Sequence, residues 1–215
     1  MFEKNSLWVF AGDSITEGGR RLDAKIWDGD RLGSGYVYLL NAALTAFFPE
    51  LETHVENRGI GGDTSFQLRN RWHSDVLSLK PDYLFLMIGV NDVWRHFDGF
   101  YFPQDFIDSA QYKDNCRFMI DSALSMENLK QMWILSPFMF ERNTEDAMCA
   151  MVRQYAKAMH DVAKEFNLPF IDIQAAIDKV LQCRHSCIFS SDRVHPNAAG
   201  NMLIAGEIWK VLVQS

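Results

Sequence analysis

The run Leu84-Phe85-Leu86-Met87-Ile88 contains no polar side chain. A strand formed there points apolar residues at both faces of its sheet, so both faces have to be covered. Leu7-Trp8-Val9-Phe10-Ala11 has the same character. Strands of this kind belong to parallel sheets, whose crossover connections are usually helices. The chain supplies that alternation. Strands are expected at Leu7–Ala11, Thr53–Glu56, Tyr83–Ile88, Met132–Leu135 and Phe170–Ile173. Helices are expected at Gly35–Phe48, Ser65–Leu79, Phe106–Met126, Glu145–Phe166 and Asn197–Val213. Pro49, Pro81 and Pro169 follow helical patterns and precede strands, as stop signals do. The pattern predicts one three-layer α/β domain over residues 1–215, with a five-stranded, mainly parallel sheet. In the last helix, Ala199, Met202, Leu203, Gly206 and Trp209 recur at three-to-four spacing and are expected to pack into the core.

At 215 residues the chain has room for one well-buried domain. Its net charge of -7 argues against a nucleic-acid or anionic-membrane surface, which reward excess Lys and Arg. No apolar run is long enough to span a bilayer, and the N-terminus reads without a secretory signal, so a cytoplasmic protein is expected. Cys116, Cys149, Cys183 and Cys187 then read as reduced thiols. Cys183, His185 and Cys187 lack the second ligand pair of a zinc site. Surface aromatics among 16 Phe and 6 Trp leave a homo-oligomer open.

Four polar motifs fall at the ends of expected strands or ahead of the last helix. Gly12-Asp13-Ser14 ends the first, and Ser14 can serve there as nucleophile, phosphate ligand or helix cap. Open parallel sheets bind ligands at the carboxyl ends of their strands. Gly59-Ile60-Gly61-Gly62 follows the second run. It reads either as a tight turn capped by Asp63, Thr64 or Ser65, or as a phosphate loop lacking the Walker ending. Gly89-Val90-Asn91-Asp92 follows the third, where Asn91 offers a neutral N–H donor or an ordinary cap. Asp192-Arg193-Val194-His195-Pro196 precedes the last helix. One turn there can bring a carboxylate to Nδ1 of an imidazole and leave Nε2 free to accept a serine proton. Pro196 suits the first helical position. Of the other histidines, His96 competes best, since it follows Asn91 closely, but it lacks a preceding acid. Hydroxyl, glycine amide, asparagine amide and Asp–His pair together form an inventory for acyl transfer.

These four blocks, in this order, resemble the SGNH, or GDSL-type, serine hydrolases. The resemblance spans nearly the whole chain and implies a flavodoxin-like fold. It also implies Ser14 as nucleophile, His195 as general base and acid, and Asp192 as its orienting carboxylate. The oxyanion donors would be the amides of Ser14 and Gly62 and the side chain of Asn91. No metal or organic cofactor is implied. Leu32-Gly33-Ser34-Gly35-Tyr36-Val37, Arg71-Trp72, Val93-Trp94-Arg95 and Asp192 to Pro196 are further similar to intracellular carbohydrate acetylesterases of the acetyl-xylooligosaccharide type. The segment Cys187 to Ser191 departs from them. The substrate implied is a small acetylated carbohydrate or another short-acyl ester, with Asp13, Trp94 and Arg95 as candidates for touching it. A lysophospholipase or thioesterase built from the same blocks is the rival enzyme. A noncatalytic sugar- or phosphate-binding domain is the rival of another class.

Overall fold

The computed structural model describes residues 2–25 and 27–214, so Ile26 of the long Gly18 to Gly35 connection lies outside the described residues. Five strands, β1 (Leu7–Gly12), β2 (His54–Gly59), β3 (Tyr83–Met87), β4 (Gln131–Leu135) and β5 (Phe170–Ile171), form one parallel sheet. Their order is β2-β1-β3-β4-β5, the flavodoxin-like order. Among the described residues eight α-helices accompany them: α1 (Ser14–Glu17), α2 (Tyr36–Phe47), α3 (Ser65–Arg71), α4 (Val90–Trp94), α5 (Ser109–Leu124), α6 (Ala147–Glu165), α7 (Ile173–Leu181) and α8 (Ala198–Gln214). One packed group joins α2, α7 and α8; another joins α3, α4, α5 and α6.

The sheet is as apolar as its sequence demands. All five residues of β3 are buried, as are Trp8, Val9, Phe10 and Ala11 of β1. Phe10 stands opposite Phe85 and Phe85 opposite Trp133, and the rings stack with centroids 4.4 Å and 4.7 Å apart. Each such cross-strand aromatic pair adds about 0.5–1.5 kcal/mol beyond area burial.

Register positions the chemistry. Gly12 at the end of β1 pairs with Gly59 of β2 and Met87 of β3. Three strands therefore end level, and the turns that follow them open on one edge. The chain reverses its direction of winding between β1 and β3, and in open α/β sheets the ligand crevice lies at such a reversal.

Several elements differ from expectation. β5 stops at Ile171 because the Asp172 side chain accepts the Ala175 N–H and caps α7, a helix that the sequence pattern did not reveal. The expected helix Ser65–Leu79 keeps α-helical pitch only to Arg71, then widens into a π turn at Trp72–Val76 and tightens into a 3-10 turn at Leu77–Leu79. Pro196 is not the first residue of α8; Asn197 caps that helix, accepting the N–H groups of Ala199 and Gly200.

The expected core stripe of α8 holds only in part: Leu203 and Trp209 are half-buried and pack against the core, Gly206 is half-buried, and Ala199 and Met202, the latter 61% exposed, face outward. The buried face carries Asn201, Ile204, Ala205, Ile208 and Leu212. The helix is apolar around most of its circumference, so periodicity alone cannot choose a face. The true face was disguised by Asn201, whose Oδ1 accepts the Tyr36 N–H at the start of α2 (2.9 Å).

Candidate active site

Ser14 is the first residue of α1, one residue beyond its cap Asp13. Gly12 precedes the turn because a side chain there would run into the Met87 carbonyl and the Thr16 hydroxyl. Ser14 Oγ lies 2.9 Å from His195 Nε2, and His195 Nδ1 lies 2.6 Å from Asp192 Oδ2. Two sequence-distant segments thus form one hydrogen-bonded relay. His195 and Asp192 have side chains 46% and 40% exposed, so the relay opens directly to solvent.

Asp192 is held from several sides. Its Oδ1 accepts the Ser190 hydroxyl (3.0 Å) and the N–H groups of Val194 (2.9 Å) and His195 (2.8 Å). Partial burial pushes its pKa up, but the His195 hydrogen bond and these donors outweigh it and bring it down to about 2. The turn contains a left-handed non-glycine residue, Arg193, with φ 70°. Arg193 is pinned by the Phe140 N–H donating to its carbonyl (2.7 Å) and by ion pairs with Glu141 (2.6 Å) and Asp146 (3.1 Å). Neither Ser190 nor Arg193 was singled out from sequence. Arg193 stood inside the Asp-x-x-His block, but its acidic partners are about fifty residues away.

The glycine turn after β2 sits beside Ser14. Gly62 has φ 84°, a conformation suited to glycine, and its carbonyl accepts Arg95 Nη2 (3.1 Å). Neither the Gly62 N–H nor the Ser14 N–H donates to another described group. Asn91 is 4% exposed and donates one Nδ2 hydrogen to the Asp63 carbonyl (3.0 Å), leaving its second hydrogen available.

Arg71, where α3 gives way to the π turn, fastens this arrangement from behind. Its Nε meets the Asp63 carboxylate (2.7 Å), Nη2 donates to the carbonyls of Gly12 (3.1 Å) and Arg58 (3.0 Å), and Nη1 pairs with Asp75. One guanidinium therefore ties the ends of β1 and β2 to the residue after Gly62. In the sequence Arg71 stood out only within the Arg71-Trp72 pair of the acetylesterase resemblance; its buttressing of the glycine turn depends on partners from β1, β2 and the turn itself.

The three candidate substrate contacts divide. The Trp94 ring lies 5.7 Å from the His195 ring, on the relay. Arg95 turns to Gly62 and to Asp98 (2.9 Å). Asp13 corrects the expectation: it is 1% exposed, and its carboxylate accepts the Ile15 N–H instead of facing a ligand. Burial, reinforced by the nearby Asp92 and Asp63 carboxylates, raises its pKa to about 7 against the pull of the Ile15 N–H and His195. Asp92 is also buried and is raised to about 6, although it accepts both the N–H and the hydroxyl of Ser65. His96 is directed elsewhere, with its ring 4.2 Å from Phe106.

The sequence model of the GDSL-like lipase/acylhydrolase family matches residues 10–203. The chain belongs to that family. An acetylxylan esterase of Geobacillus stearothermophilus is 36% identical to this GDSL-like acylhydrolase over 197 residues, which are 92% of this chain and 89% of the relative. The crystal structure of Axe2, an acetylxylan esterase from the same organism, superposes with a TM-score of 0.91 at 34% identity, covering 97% of this chain and 94% of that one. The structure of LAE5, an alpha/beta hydrolase enzyme from the metagenome of Lake Arreo, gives a TM-score of 0.91 at 38% identity, covering 96% and 94%. This GDSL-like acylhydrolase is a carboxylic ester hydrolase.

Proposed function

We propose that the protein is a serine acetylesterase that removes acetyl groups from small carbohydrate esters, with Ser14 as nucleophile. The observation that carries this reading is the relay from Ser14 Oγ through His195 to Asp192, at 2.9 Å and 2.6 Å. His195 Nε2 takes the Ser14 proton as Oγ attacks the acetyl carbonyl. Asp192, its pKa brought down to about 2, is a carboxylate at neutral pH; it holds Nδ1–H and stabilises the imidazolium. The oxyanion is met by the N–H groups of Ser14 and Gly62 and by Asn91 Nδ2, donors fixed before the reaction begins. His195 then protonates the departing sugar hydroxyl, and water releases acetate from the acyl-enzyme by the same steps in reverse order of roles.

Acetylated carbohydrate is favoured over long-chain lipid by the full-length similarity to acetylxylan esterases. A cytoplasmic setting is supported by four free cysteines, of which Cys183 and Cys187 are exposed. Among the described residues, no helix is long and apolar enough to cross a membrane.

The test is acetate release, followed by mass spectrometry, from acetylated xylo-, gluco- and manno-oligosaccharides, alongside an aryl-ester series of increasing acyl length. Release from at least one sugar and a sharp preference for acetyl are expected. A preference for long acyl chains would transfer the reading to the lysophospholipase or thioesterase rival. Unchanged 4-nitrophenyl acetate hydrolysis by a folded Ser14→Ala variant would remove the serine assignment, and failure of a fluorophosphonate to label Ser14 would favour the noncatalytic rival.

A further inference from the structure

Asp92 follows the oxyanion donor Asn91 and takes no part in the steps above, yet it is fully buried. An enclosed carboxylate needs hydrogen bonds to offset its lost hydration. Asp92 finds them on Ser65, the first residue of α3. The Ser65 N–H lies 3.1 Å from Oδ1 and 2.9 Å from Oδ2, and the Ser65 hydroxyl donates to Oδ1. Two further residues settle the direction of that hydroxyl. Arg69 can only donate, so its Nη1 meets Asn115 Oδ1 (3.0 Å) and turns Asn115 Nδ2 toward Ser65 Oγ (3.0 Å). Ser65 Oγ accepts from Asn115, which leaves its own proton for Asp92.

Ser65 stands three residues after Gly62, and α4 holds the stretch between them at three points. Arg95 Nη2 donates to the Gly62 carbonyl (3.1 Å), Asn91 Nδ2 donates to the Asp63 carbonyl (3.0 Å), and Asp92 accepts from Ser65. The middle point orients the oxyanion donor. An amide with one Nδ2 hydrogen on the Asp63 carbonyl has the direction of its other hydrogen set by where that carbonyl stands. The carbonyl is steady only if the residues on both sides of it are anchored. On the far side that anchor is Asp92, whose acceptor-only oxygens take a backbone N–H and a hydroxyl together.

We infer that Asp92 is a positioning residue for acyl transfer: by holding Ser65 it fixes the Asp63 carbonyl, and through that carbonyl it aims the free Nδ2 hydrogen of Asn91 at the same point as the Gly62 N–H. The inference rests on the reading of Asn91 as an oxyanion donor and deepens it. Asp92 itself acts through Ser65 and Asn91 and touches no reacting atom.

A double-mutant cycle on 4-nitrophenyl acetate tests this at pH 8, where a carboxyl whose pKa burial raises to about 6 is ionised. Asp92→Asn keeps the side-chain volume but offers a single acceptor oxygen. It should lower kcat about tenfold with KM held within about twofold, short of the 10²–10³ for losing an oxyanion donor outright, because Asn91 is displaced and not removed. In the Asn91→Ala background the same change should cost less than about twofold, since no donor is left to aim. Ser65→Ala removes the hydroxyl bond and keeps the N–H bond. It should give the same pattern with a fall of about threefold, and it carries the test if Asp92→Asn does not fold. A kcat unchanged by both substitutions, an equal loss in both backgrounds, or a rise in KM at constant kcat overturns the positioning role and leaves the oxyanion site intact. An Asn91→Ala enzyme that keeps more than about a tenth of kcat overturns the oxyanion reading, and the positioning role with it.

Discussion

Replacing Asp13 by Asn should change how stability depends on pH, and the structure sets both sign and size. Asp13 is fully enclosed beside Ser14, and its pKa is raised from 3.8 to about 7, first by burial and then by the charges of Asp92 and Asp63. Below pH 3.8 the group is protonated in folded and unfolded chains alike and contributes nothing. Between pH 3.8 and 7 the folded protein keeps the proton that the unfolded chain has released, so stability falls as pH rises. Each tenfold change in proton affinity corresponds to about 1.4 kcal/mol, so a carboxyl that holds its proton roughly a thousandfold more tightly in the folded chain loses on the order of 4 kcal/mol of stability by pH 8. Asn preserves the cap, because its Oδ1 still accepts the Ile15 N–H, but it cannot ionise. Urea denaturation of both proteins at pH 4, 5, 6, 7 and 8 isolates the effect, since subtracting the curves cancels groups that both share. Asp192, lowered to about 2, acts in the opposite sense and at more acid pH, outside this window. The difference curve should move in favour of Asp13→Asn by several kcal/mol between pH 4 and pH 8. Parallel curves across that range would refute the enclosed, neutral-preferring carboxyl.

Asn91→Ala should lower kcat on 4-nitrophenyl acetate by about 10²–10³ with little change in KM, the scale of one lost oxyanion donor; a loss below tenfold would take Asn91 out of the oxyanion site. Arg71→Met leaves the Asp63 carboxylate and two strand-end carbonyls without their cation, and unfolding free energy should drop by about 3–5 kcal/mol. Adding Asp63→Asn to that variant should recover part of the loss. Strict additivity of the two changes in urea melts would show that the pair does not act as a unit.

Much of the architecture could be read from the order of residues, for a local reason. The runs at β1 and β3 are apolar without interruption, and only a sheet covered on both faces accommodates them. Capping signals are equally local: Thr64 and Asp108 each form a capping box with the glutamine three residues on. Where a local pattern was degenerate, reading failed. The last helix is apolar on nearly every side, and Asn201 owes its buried place to α2, a partner 165 residues away. Asp172 ended β5 and began α7 inside a stretch whose alternation reads as continuing strand.

Ser14, Gly62, Asn91, Asp192 and His195 were visible in sequence because each sits in a short motif whose turn chemistry is encoded by its neighbours. Their meeting was not encoded by those neighbours. It follows from a register that ends β1, β2 and β3 level, and from the return of the final turn to the same edge. Arg71, Ser190, Arg193 and the buried state of Asp13 were decided only by tertiary structure, because each depends on what lies across a packed boundary. The sequence by itself determined which strands could form, how they had to be covered and which side chains were available for acyl transfer. The folded chain alone decided which of those groups touch, since hydrogen bonds and desolvation act over a few ångströms of space and not along the chain.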